Sequence, residues 1–173
     1  SDPLVLQNPT GKRWHDLVKQ GRGFEAFADW IREGSTTGKD PIGSRDMTRA
    51  AWEQVIETAE RFNEPGRFTA FIGFEWTATP GGNNLHRNVI FRDDGKRARQ
   101  TLPFSAYDSD DPEKLWQWMQ GYEQDTGGRL LAIAHNGNLS NGMMFATTTR
   151  DGRAFDLDYA KTRARLEPLY EVT

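Results

Sequence analysis

The sequence predicts an α/β chain, and three observations carry that expectation. Short apolar runs occur at FTAFIGFEW (Phe68 to Trp76), HRNVIF (His86 to Phe91) and LLAIAH (Leu130 to His135). Such runs suit strands with little solvent contact. Other stretches place apolar residues at three- and four-residue spacing, the period of an amphipathic helix. The two patterns interleave along the chain, which is the signature of α/β units.

Trp14 to Arg32 has helical spacing with a break at Gly21 to Gly23, and Phe24, Phe27, Ala28 and Ile31 fall on one apolar face. Residues 34–45 hold Gly, Ser and Pro without periodicity and are expected as a surface loop. Asp46 is placed to cap the next helix, whose apolar face carries Met47, Ala51, Val55, Ala59 and Phe62. The sequence NEPG (Asn63 to Gly66) stops it, because proline cannot continue a helix and glycine suits its end.

After the first strand, ATPGGNNL leads into His86, and Asp93 to Gly95 reads as a turn. Asp111, Pro112 and Glu113 combine a cap, a first-turn proline and an acid at the positive helix end. Leu115, Trp116, Met119 and Tyr122 form the apolar face of that helix, and Gly127 with Gly128 ends it. The strand LLAIAH follows, then the loop NGNLSNG. A last helix over Asp158 to Leu166 leads into a terminal strand, PLYEV.

Composition sets limits on this chain. With 173 residues there is enough chain for a core, and with no cysteine neither a disulfide framework nor a thiolate zinc site can form. A net charge of −3 gives no electrostatic footprint for nucleic acid or an anionic membrane. No apolar stretch of roughly 18 residues spans a bilayer, and no signal peptide is visible, which leaves cytoplasm and periplasm both open. Mean hydropathy of −0.78 and 36% hydrophobic residues are low for a self-contained parallel-sheet domain. Residues 1–173 are therefore expected as one α/β segment interior to a larger protein, with oligomeric state open.

Each apolar run carries one metal-type side chain at an end: Glu75, His86 and His135. Ligands of α/β sheets gather beyond the carboxyl ends of strands. The loop from Thr77 to His86 is too short for a crossover helix, so those two strands are expected to pair antiparallel. That pairing converges all three side chains on one rim. A carboxylate with two imidazoles suits Zn²⁺, Mn²⁺ or Fe²⁺. Against this stand plainer readings: Glu75 paired with an arginine, and His86 and His135 as ordinary polar residues.

The loop from Gly81 to Asn84 could cradle a phosphate, although a tight turn explains it more simply. Asn84, Asn136 and Asn138 are candidates for turn geometry or for holding substrate. Arg87 could neutralise an anionic substrate or pair with an acid. His15 reads as surface, the DSDD run (Asp108 to Asp111) as capping, and the tryptophans as core.

FIGFEWTATPGGNNLHRNVIF, DPEKLWQWMQGYEQDTGG, LLAIAHNGNLSNGMMF and RLEPLYEVT together resemble a large bacterial family known only as a domain of unknown function and related to the PHP (polymerase and histidinol phosphatase) superfamily. The resemblance covers the chain from about Asn63 onward. It implies the central portion of a distorted seven-stranded βα barrel, with up to three zinc, manganese or iron ions at its rim in the complete domain. It further implies a phosphoesterase acting on a phosphorylated small molecule, with metal-bound hydroxide as nucleophile. Glu75 and His135 would be catalytic, and Glu75, His86 and His135 would be metal ligands. The family's early His-x-His and late Asp-x-His are absent here, so the segment alone is expected to be inactive. The alternative is a non-catalytic PHP-like barrel that serves binding or scaffolding. A third reading, sugar binding through Trp and Asn, requires exposed coplanar aromatics, whereas Trp52 and Trp116 are expected to be buried.

Overall fold

A computed structural model describes residues 3–172, apart from the side chains of residues 35–37. Ser1, Asp2 and Thr173, the two ends of the expected interior segment, lie outside the described residues. The chain divides into two compact units, Ser1–Ala51 and Trp52–Thr173, with the division falling inside one helix.

The first unit is helical: α1 (Pro3–Gln7), α2 (Pro9–Lys19), α3 (Gly23–Thr37) and the start of α4 (Arg45–Phe62). The opening residues thus form a helix where the sequence pattern showed no element. Asn8 caps α2 by accepting from the Gly11 amide, and Pro9 fits the first helical turn. Trp14 Nε1 donates to Asp29, which ties α2 to α3. The apolar spacing in α3 does not translate into burial, since Phe24 and Phe27 are exposed. α3 continues three residues past Gly34 and closes at Gly38, whose φ of 61° suits glycine. The link to α4 is therefore shorter than the expected 34–45 loop. At its far end the Ser44 hydroxyl accepts from the Met47 amide, and Asp46 sits in the first turn of α4. His15 is half-buried on α2, and its Nε2 is sealed from solvent without a partner.

The second unit holds the sheet: β1 (Gly73–Trp76), β2 (Arg87–Phe91), α5 (Gly95–Ala98), α6 (Pro112–Thr126), β3 (Leu130–Ala134), α7 (Leu157–Leu166) and β4 (Leu169–Tyr170). The strand order is β1-β2-β3-β4, antiparallel for the first two pairings and parallel for the last. This corrects the expected portion of a PHP-type βα barrel. The sheet is small, mixed and open. The connection from β1 to β2 is too short for a crossover and gives an antiparallel pair, and only β4 lies parallel to its neighbour. β1 and β4 stay as separate edges, so nothing closes the sheet.

The core lies on one face of the sheet. Val89, Phe91, Ala132 and Trp76 point there and meet Trp52 and Ile56 of α4 and Leu115, Met119 and Tyr122 of α6. Phe91 lies edge-on to Tyr122 at 5.0 Å and tilted against Trp52 at 5.5 Å. Ile56 is fully buried, a transfer worth about 1.5–3 kcal/mol. Asp111 caps α6 by accepting from the Glu113 amide, and Gly127 closes it in the left-handed region. At Gly128 no side chain fits: an added Cβ would run into Asp93 and the Tyr122 ring. Trp52 and Trp116 are buried, so neither offers a platform for stacking a sugar.

Candidate functional site

Strand periodicity decides which side chains meet at the sheet end. In β2 the buried positions are Arg87, Val89 and Phe91, and in β3 they are Leu130, Ala132 and Ala134. His86 precedes the first of these and His135 follows the last, so both face away from the core. The register pairs Arg87 with Ala134, which sets His86 directly opposite His135. Their backbones join through the His135 amide, which donates to the His86 carbonyl at 3.1 Å. The ring centroids are 6.4 Å apart. Glu75 stands on the same face, diagonal to His86 across the β1–β2 ladder, since Trp76 pairs with Arg87. β4 pairs Tyr170 with Ala134 and so brings Glu171 level with His135.

The side chains settle into two pairs. Glu75 Oε1 lies 2.7 Å from His86 Nδ1, while the Thr79 hydroxyl lies 3.2 Å from His86 Nε2. Glu171 Oε2 lies 2.9 Å from His135 Nδ1, and Asn136 Nδ2 lies 2.9 Å from His135 Nε2. This pattern corresponds to imidazoles that carry the proton on Nδ1, donate it to a carboxylate, and accept at Nε2. Glu171 also accepts from the Asn136 amide at 2.9 Å. That backbone donor, with His135 beside it, holds the Glu171 carboxyl below its ordinary value.

Both nitrogens of each ring are thus engaged. A metal-ligating histidine turns one nitrogen to the ion and uses the other for orientation. Among the described residues, no group of three or more His, Cys, Asp or Glu side chains could hold a metal ion. This overturns the expected zinc, manganese or iron cofactor and the metal-dependent phosphoesterase that depended on it. Glu75, His86 and His135 do come to one rim, but Glu75 serves His86 while His135 serves a different acid. Glu171 escaped the sequence pattern because PLYEV reads as an apolar strand. The signal was positional: a strand running parallel to β3 brings its next residue level with the residue after Ala134.

The remaining candidates divide between rim and core. Asn84 accepts from the His86 amide through Oδ1 and donates from its backbone to the Leu139 carbonyl. Asn136 adopts the left-handed region, with φ of 52°. Asn138 is exposed in the following turn. The Gly81–Asn84 loop is a tight turn: the Gly82 and Asn83 amides donate to the Thr79 and Pro80 carbonyls. Arg87 faces the core. Its side chain is 2% exposed, its Nε donates to Glu167 Oε1 at 2.8 Å, and Trp116 Nε1 donates to the same oxygen at 2.9 Å.

Among the described residues no helix is long and apolar enough to cross a membrane. A family model described as Protein of unknown function (DUF3604) matches residues 2–173. No curated protein and no solved structure matches the chain.

Proposed function

We propose that this chain, which belongs to the DUF3604 family, is a binding module whose ligand docks at the Glu75–His86 and His135–Glu171 rim without being turned over. One observation carries this reading: the four ring nitrogens of the two histidines are all engaged by partners of the chain itself. The imidazoles are fixed in orientation, which favours recognition, while no nitrogen is left to ligate an ion. The Glu75 and Glu171 side chains are 39% and 40% exposed, so their outer oxygens face solvent as acceptors. Asn138 adds an exposed amide.

Acceptors and amides suit a neutral ligand that bears several hydroxyl groups. Two carboxylates at this rim would repel a phosphate. The test follows the histidine ring proton resonances while mono- and disaccharides are titrated. A saturable shift in both rings, lost in Glu75→Ala and His135→Ala proteins that still fold, supports the reading. Phosphoester hydrolysis that depends on Glu75, or rings unmoved by every sugar, overturns it.

A further inference from the structure

A second region of the sheet unit carries a different chemistry. A cavity of about 210 Å³ lies on the core side of the chain, lined among others by Leu85, Arg87, Met144, Tyr159 and Arg163. Arg87 reaches it because of its strand parity: it occupies the inward row of β2 with Val89 and Phe91. Its Nε is taken by Glu167 and its Nη1 donates to the Leu85 carbonyl at 2.6 Å. Its Nη2 donates to none of the described residues, yet it is not among the buried side-chain atoms sealed without a partner. An almost fully buried guanidinium therefore keeps an unused donor, and the cavity is the open space it lines.

Two guanidiniums stand at the cavity wall, and Arg87 and Arg163 share a single carboxylate there, Glu167, at 2.8 Å and 3.4 Å. Arg163 Nη2 is spent on the Met144 carbonyl, so it holds the loop in place while its charge stays at the wall. Of the two acids at the cavity edge, Glu113 pairs with Arg153, and Asp111 is held by the backbone of α6, which it caps. Leu85, Met144 and Tyr159 supply an apolar wall. The volume falls below the roughly 300–1,000 Å³ of sites for drug-sized ligands, so the occupant is small.

We propose that this cavity binds a small organic anion, an acid group on a compact apolar body, with the acid at Arg87 Nη2 and the body against Met144 and Tyr159. The site is separate from the polar rim and does not depend on it.

The test titrates benzoate, phenyl phosphate, inorganic phosphate and the neutral benzyl alcohol into the full 173-residue chain, following the Met143 and Met144 methyl resonances. Benzoate or phenyl phosphate is expected to shift both methyls saturably, and the tighter of the two names the acid group. Benzyl alcohol and inorganic phosphate are expected to bind at least about tenfold more weakly, the scale of a lost charge-assisted hydrogen bond. Arg87 substitutions could unfold the chain by stranding Glu167, so Arg163→Met and Ala146→Trp serve as variants. Ala146 lines the cavity and is exposed, which lets a tryptophan block the opening without disturbing the core. Both variants should weaken binding about tenfold or more. The proposal fails if neither acid saturates the wild-type signal, if benzyl alcohol binds as tightly, or if both variants bind like wild type.

Discussion

His86 and His135 face each other across the β2–β3 ladder with ring centroids 6.4 Å apart, yet each is bonded to its own carboxylate. Closeness of donors is therefore not enough for a metal site; their lone pairs must also be free and aimed at one point. Here the carboxylates act as orienting partners of the imidazoles, and the pairs fasten neighbouring strands. The Glu75–His86 pair bridges β1 and the start of β2, while the His135–Glu171 pair bridges β3 and β4.

Because neither pair needs an ion to hold it together, treatment with a chelator should leave folding untouched. Thermal unfolding with and without excess EDTA is expected to give the same midpoint. A drop of several degrees on chelation would mean that a bound cation contributes to stability, and the paired reading of the rim would fall.

Glu171 fastens the edge strand, and its carboxyl sits below the ordinary value chiefly because the Asn136 amide donates to it, with His135 second. For a depressed acid the stabilisation is present above the unfolded value of 4.5 and is lost as pH falls through the lower, folded value. Acidification should thus loosen β4. The Glu171 amide, which donates to the Ala134 carbonyl at 3.0 Å, reports this by hydrogen exchange. Its protection should fall as pH drops below 4.5 in the wild type, and Glu171→Gln should remove that acid step.

The rim was legible in the sequence while its chemistry was not. The strand-end positions of Glu75, His86 and His135 on three apolar runs, with a short loop after Trp76 that implies an antiparallel pair, suffice to bring them to one rim. What each side chain bonds depends on neighbours one residue beyond the strands, such as Thr79 and Asn136, and on Glu171 from a distant turn of chain. Barrel closure was not legible either, because it depends on whether β1 and β4 find each other. Helix ends with strong chemistry, such as Asp111 and Gly127 around α6, were readable. The apolar spacing of α3 misled, since periodicity records a face and not what covers it: Phe24 is 81% exposed.

Tyr122 offers a test of the core at alkaline pH. Its hydroxyl donates to Asp93 at 3.1 Å, and burial, followed by the Asp93 charge, pushes its pKa up to about 12. The folded form then holds its proton more tightly than the unfolded chain, whose value is near 10. Its contribution is full below pH 10 and is lost as pH rises from there toward 12. In an ultraviolet titration of tyrosinate, Tyr122→Phe should remove a late step near pH 12. The same variant should flatten the fall in stability across that window. If the late step persists in Tyr122→Phe, its assignment to this residue is wrong.

The Arg87–Glu167 pair should behave as a buried ion pair. Both side chains are 2% exposed, and Glu167 is also held by Trp116 and faced by Arg163. Removing one partner strands the other charge away from water, at a cost of about 3–5 kcal/mol. Replacing both with apolar residues of similar volume avoids that penalty, so Arg87→Met with Glu167→Leu should be more stable than Arg87→Met alone. Recovery should be incomplete, because the double substitution also leaves Trp116 Nε1 without its acceptor, worth about 1–3 kcal/mol. Urea unfolding of the three proteins measures the order directly. A double variant no more stable than Arg87→Met would show that packing, and not the stranded charge, sets the cost at this position.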